Sequence, residues 1–114
     1  MKIMMRALCF VLFLMGTTAS GHALELIYVA SKSCTYCAKF NREVAAEYSA
    51  TGEGRVAPMR RVSAFKKWPE DLAGIKQTPF TPAFIVVSNG REVGRFYGYV
   101  GRNEFYSRLD SLIQ

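Results

Sequence analysis

Histidine and cysteine are scarce in this chain of 114 residues, which holds one histidine, His22, and three cysteines, Cys9, Cys34 and Cys37. The scarcity excludes more chemistry once the N-terminal stretch is set aside. Lys2 and Arg6 make a positive start, Ala7 to Met15 is apolar, and Gly21-His22-Ala23 offers small residues where a signal peptidase cuts. This pattern predicts an export signal over residues 1–23, cleaved after Ala23 or else after Ala19, followed by one domain over residues 24–114. The apolar run falls short of the ~20 residues that a membrane-spanning helix needs.

Beyond Ala23 no histidine remains. A Cys–His nucleophile, a His-ligated metal and a His general base are thereby excluded by inventory. Two remaining cysteines also fall short of the four ligands of a structural zinc site, unless two chains share the ion. Setting aside Lys2 and Arg6 reduces the 15 Lys and Arg to 13 against 9 Asp and Glu, a net charge of +4 spread without any basic block. Such a surface is solvated and predicts no nucleic-acid partner. Internal repeats, low-complexity tracts and a second domain are all missing, so the chain can build one small hydrophobic core.

What is present is a pair of thiols two residues apart, Cys34-Thr35-Tyr36-Cys37, between an apolar run and a helical pattern. Leu24 to Ala30 reads as a strand buried on both faces. Ser31-Lys32-Ser33 breaks it, and Ser33 is the expected N-cap of a helix running from Cys34 to Ser49 or Ala50. In that geometry Cys34 lies exposed in the first turn, where free backbone N–H groups favour a thiolate, and Cys37 lies shielded one turn on. As a staple the pair closes almost no loop and stabilises little. The expectation is a redox-active disulfide that needs no further cofactor, with Cys34 attacking and Cys37 resolving. Two thiolates also suit Cu(I), so a Cu(I)-binding or metallochaperone module is the alternative, although Met59 is the sole methionine beyond the N-terminal stretch.

The remaining pattern supplies a scaffold. Phe40, Val44 and Tyr48 recur every fourth residue and predict the buried stripe of the helix, with Lys39 and Glu43 spaced for an ion pair. Thr51-Gly52-Glu53-Gly54 is expected to end it. Arg55 to Val62 reads as a strand that lies at a sheet edge or contains a bulge, because Pro58 interrupts it, and Ser63 to Lys67 as a linker. Trp68 to Ala73 reads as a short helix with Pro69 in its first turn, and Trp68 as a packing residue rather than a cover for the cysteines. Ala83 to Val87 and Glu92 to Tyr97 form a hairpin around Asn89-Gly90, and a helix follows from Arg102 or Asn103 to Ile113.

This order, with Cys34-Thr35-Tyr36-Cys37 after the first strand, Thr81-Pro82-Ala83-Phe84-Ile85-Val86-Val87 before the hairpin and Gly94-Arg95-Phe96-Tyr97-Gly98-Tyr99 before the last helix, resembles the thioredoxin superfamily. The resemblance spans residues 24–114. It implies an α/β thioredoxin-like fold, a minimal βαβ-ββα core with a four-stranded mixed sheet and helices on both faces. It also implies that Pro82 is cis and faces the disulfide, that Thr81 and Pro82 hold a partner polypeptide, and that Thr35 and Tyr36 tune the thiolate. Pro79 is then an ordinary loop proline. Ser33, Thr35-Tyr36 and Tyr28 differ from ordinary cytosolic thioredoxins, which carry Trp, Gly-Pro and a buried aspartate at these places. The Tyr before the second cysteine and the Thr before the proline resemble periplasmic disulfide isomerases. The short chain is similar to compact exported proteins associated with sulfur-oxidation or cytochrome-maturation systems. The function so implied is that of a periplasmic thiol–disulfide oxidoreductase acting as a monomer on a protein dithiol or disulfide, with a membrane thiol–disulfide protein as electron donor or acceptor.

Overall fold

A computed structural model describes residues 23–114, so all of the expected export signal but its last residue lies outside the described residues. Strand β1, Glu25–Ala30, leads into helix α1, Thr35–Phe40, which continues as a π-helical turn, Asn41–Ala45, and a 3-10 turn, Tyr48–Ala50. Helix α2, Gly52–Val56, precedes strand β2, Met59–Ser63; a second 3-10 turn, Glu70–Leu72, precedes strands β3, Ala83–Ser88, and β4, Arg91–Tyr97, and helix α3, Arg102–Ile113, closes the chain. The sheet order is β2-β1-β3-β4. β1 runs parallel to β2 and antiparallel to β3, and β3 runs antiparallel to β4. The first half is therefore a crossover unit and the second a hairpin, the arrangement expected from the order of elements.

Residues of β1 alternate between two cores, as the two-residue period of a strand requires. Leu26 and Tyr28 join Phe84, Val86 and Phe96 beneath Phe40, Val44, Tyr48, Phe105 and Leu109. Phe105 is the hub of this side, with ring centroids 4.9 Å from Phe84, 5.0 Å from Phe40 and 5.8 Å from Phe96, and Phe40 lies 4.6 Å from Tyr28. Edge and tilted contacts at such separations stabilise aromatic pairs beyond area burial alone. Ile27 and Val29 face the opposite way, onto Val62, Trp68, Leu72 and Ile75. The two covers are unequal: α1 and α3 roof the first side, while one 3-10 turn and its flanking loops close the second. Trp68 belongs to this second core, and its indole N–H donates to Ser63 O at 2.9 Å, as burial of that group requires.

Several local expectations are corrected. The long helix from Cys34 to Ala50 is three short helical pieces, although Phe40, Val44 and Tyr48 are all buried as their spacing predicts. Thr51 does end the first helical segment, its N–H donating to Tyr48 O at 3.0 Å, but it also starts the next, its Oγ1 accepting from Gly54 N at 2.9 Å as the cap of α2. A Cβ on Gly54 would collide with the Tyr48 carbonyl, so the glycine serves close backbone approach rather than helix termination. Arg55 and Val56 consequently belong to α2, and β2 begins only after Pro58, at the sheet edge. Lys39 and Glu43 form no ion pair among the described residues, because Glu43 Oε1 instead accepts from Tyr99 Oη at 2.6 Å. The Asn89-Gly90 turn behaves as read, with φ of +50° and +79°.

Two outcomes test this packing. Gly54→Ala will lower unfolding stability by about 1–3 kcal/mol in urea titrations, the usual cost of forcing atoms into filled space. At the junction of α2 and α3, burial and the neighbouring Glu53 carboxylate hold the Asp110 carboxyl above its ordinary pKa. A raised carboxyl pKa means the folded chain binds the extra proton, so this stability is present at low pH and lost as pH rises through the folded value. Asp110→Asn will therefore raise stability at pH 7, by less than about 1 kcal/mol because solvent screens the site, and leave it unchanged at pH 3.

Candidate active site

The chain leaves β1 at Ala30 and turns through Ser31-Lys32-Ser33 into α1, delivering both cysteines to one end of the sheet. Ser33 is not the cap. Cys34 itself holds the N-cap position with extended backbone, and its Sγ accepts from Cys37 N at 3.0 Å. The two cysteines are joined as a disulfide, their Cα atoms 5.1 Å apart. Cys34 is half-buried while Cys37 is 2% exposed, so only one of the two sulfurs is readily approached. On opening of the bond, the N–H that caps Cys34 becomes a donor to its thiolate, and hydrogen bonding to the charged form favours that form.

The Thr81–Pro82 segment reaches the same end through strand pairing. Tyr28 lies opposite Phe84 and Val29 opposite Ala83, which carries the chain back so that Thr81 comes level with Ser31. Ser31 Oγ and Thr81 Oγ1 stand 3.3 Å apart, tying the two segments together. The Thr81–Pro82 peptide is cis, and Pro82 O accepts from Gly98 N at 2.8 Å. Neither the N–H nor the C=O of Thr81 bonds to another described residue. Beside them a groove of about 650 Å³ is lined by Tyr36, Phe80, Thr81, Pro82, Tyr97 and Val100. Tyr36, Phe80 and Val100 are 61%, 68% and 74% exposed, an unusual concentration of bare apolar surface beside a disulfide. Of the residues singled out in the sequence, Cys34, Cys37, Tyr36, Thr81 and Pro82 thus gather at one end, whereas Thr35 is exposed and lines neither this groove nor the hollow on the other side.

That hollow is lined by two residues the sequence reading passed over, Asn41 and Arg61, with Tyr28 buried behind them. Tyr28 Oη donates to Asn41 Oδ1 at 2.8 Å and approaches Cys37 O at 3.3 Å. Arg61 Nη2 donates to the same Asn41 oxygen at 3.0 Å, and its guanidinium carbon lies 5.0 Å from the Tyr28 ring centroid. Burial raises the Tyr28 pKa, an effect the Arg61 charge partly opposes, so the phenol remains a neutral donor at physiological pH. Asn41 stands one helical turn beyond Cys37 and Arg61 pairs with Tyr28 across the sheet; the helical period and a parallel register together would have pointed to both. Among the described residues no group of three or more His, Cys, Asp or Glu is placed to hold a metal ion.

The chain matches the thioredoxin-like domain family over residues 16–113 and belongs to it. With its paired cysteines it is a thiol–disulfide oxidoreductase of the thioredoxin superfamily. Among solved structures, the periplasmic thioredoxin SoxS from Paracoccus pantotrophus, in its reduced form, is 34% identical with a TM-score of 0.73, the match covering 79% of this chain and 95% of that one. A thioredoxin from Thermus thermophilus is 27% identical with a TM-score of 0.59, covering 77% and 72%. Thioredoxin from Malassezia sympodialis, at 16% identity and a TM-score of 0.64, covering 82% and 80%, shares the fold. No curated protein sequence matches the chain.

Tyr28→Phe removes one donor to Asn41 while Arg61 retains the other. The variant will lose about 1 kcal/mol in denaturant titrations, the typical net worth of a single hydrogen bond.

Proposed function

We propose that this protein works after export, in the periplasm, as a monomer that exchanges its disulfide with a cysteine pair on a partner protein. The observation that carries the reading is the asymmetry of the pair: Cys34 half-buried at the helix cap and Cys37 sealed beneath it. In the reducing direction Cys34 thiolate attacks one sulfur of a target disulfide, the target's other sulfur leaves as a thiolate, and a mixed disulfide forms. Cys37 thiolate then attacks Cys34, expels the reduced target and restores the bond between the two cysteines. Oxidation of a dithiol is the same sequence reversed. The direction follows from the potentials of the two pairs, each ~30 mV being ~1.4 kcal/mol for a two-electron couple.

Thr81 and Pro82 are assigned the role of holding the partner's backbone, since the amide groups of Thr81 are free to extend the sheet. Tyr36 contributes an apolar wall to the groove, and Thr35 with Tyr36 sets the environment of the Cys34 thiolate. The export reading rests on the pattern in residues 1–23 and on similarity to a periplasmic thioredoxin. No described helix is long and apolar enough to cross a membrane. A membrane thiol–disulfide protein is the proposed source or sink of electrons.

Cys37→Ser, expressed in an exporting host, will accumulate mixed disulfides through Cys34, visible as adducts on non-reducing gels that dithiothreitol removes. Cys34→Ser will form none and will lose insulin reduction by at least about a hundredfold. Absence of adducts from the first variant would reject the exchange mechanism.

A further inference from the structure

On the side of the disulfide away from the apolar groove lies a hollow of about 500 Å³, lined by both cysteines together with Lys32, Arg61 and Lys66, and by no aspartate or glutamate. None of these three cations forms a salt bridge among the described residues; Lys39, Arg42, Arg55, Lys76 and Arg91 form none either, and what sets the three apart is that they line one hollow. Arg61 is nonetheless held in place by the neutral Asn41 oxygen and the Tyr28 ring, so its position is fixed while its charge stays uncompensated. Lys66 sits on backbone pinned by Gln77, whose Nε2 donates to Lys66 O at 3.1 Å. A concave site bearing three cations of one sign focuses potential and concentrates anions, and its size suits a small molecule.

We infer that the hollow selects small thiols carrying a second negative charge close to sulfur, and admits them to the Cys34–Cys37 disulfide. The inference rests on the exchange activity proposed above and adds a class of substrate to it. In the first step the small thiolate attacks Cys34 Sγ, the approachable sulfur, forming a mixed disulfide and breaking the bond to Cys37. Cys37 leaves as a thiolate facing the cationic lining, which stabilises the departing charge as it does the incoming one. A second small thiolate attacks the outer sulfur of the mixed disulfide, releasing the symmetrical small disulfide and Cys34 thiolate. Two thiols are oxidised by two electrons, the protein disulfide is reduced, and the two protons given up by the thiols protonate the cysteines through solvent.

The test uses residues 24–114 or the exported full chain, oxidised, with three thiols of similar size. Their attacking thiolates are doubly negative (2-mercaptoethanesulfonate), singly negative (2-mercaptoethanol) and net neutral (2-aminoethanethiol). Rates of thiol appearance, read by acid quench and alkylation mass spectrometry, are normalised to the thiolate fraction and to each thiol's rate on bis(2-hydroxyethyl) disulfide. The normalised rates should fall in that order, with at least about tenfold between the extremes at low ionic strength and a narrower spread in 0.5 M salt. In the combined Lys32→Gln, Arg61→Gln, Lys66→Gln variant the spread should shrink to about twofold or less. A variant with three charges removed elsewhere, Arg55→Gln, Arg91→Gln, Arg108→Gln, should keep it, which separates the hollow from net charge. Equal normalised rates in the unaltered protein, or a spread lost equally in both variants, would overturn the inference and leave the exchange function standing. Equal rates for the small thiols together with acceleration only by a glutamate-flanked cysteine peptide would overturn it in favour of an acidic protein partner. Failure to exchange with any thiol would remove both readings.

Discussion

The antiparallel ladder between β1 and β3 is the constraint from which the site follows. Pairing Tyr28 with Phe84 and Val29 with Ala83 does two things at once. It places Leu26 and Tyr28 under the helices with Phe84 and Val86, and it brings the Thr81–Pro82 peptide level with the turn that carries the cysteines. Because side chains alternate, a slip of one residue would move each apolar set to the wrong core. Register is thus fixed by burial on both faces, and the geometry of the active end is a by-product of that packing. The arrangement needs no dedicated scaffold for Pro82 beyond the strand that follows it.

Much of this was legible in the chain. A nearly continuous apolar run at Leu24–Ala30 and a continuous one at Ala83–Val87 announced central strands, Asn89-Gly90 announced the hairpin, and the four-residue spacing of Phe40, Val44 and Tyr48 found the buried side of the first helical segment. The boundaries within that segment were hidden because they depend on partners distant in sequence. Asn41 turns its amide oxygen to Tyr28 and Arg61, and the helix widens into a π turn there; Glu43 is taken by Tyr99 rather than Lys39. Thr51 closes the first helical segment as the sequence suggests, and the same threonine opens the next helix, a second role that its residue type alone did not announce. At the site the cysteines and Thr81-Pro82 were visible as motifs. Lys32, Arg61 and Lys66 were not, since three scattered cations acquire meaning only when the crossover from β1 to β2 folds them round one hollow.

The substitution of Tyr28 for an acid at the end of β1 reshapes what lies behind Cys37. A buried carboxylate there would bring a negative charge and a proton-accepting site. The tyrosine brings neither at neutral pH, and instead anchors Asn41 and stacks against Arg61. The local field behind the resolving sulfur is consequently positive, and the disulfide divides an apolar side from a cationic one.

The helix bearing the cysteines is regular for six residues before it widens. The π turn continues the same run of helical peptide units to Ala45, so their dipoles stay aligned behind the cysteines. The electrostatic character of Cys34 is therefore set at the first turn, where that aligned run ends and the amide of Cys37 points at its sulfur. In evolutionary terms such a site is separable: the tip can be retuned by exchanging a few neighbouring residues, while the body of the domain, held by its two cores, remains indifferent to the change.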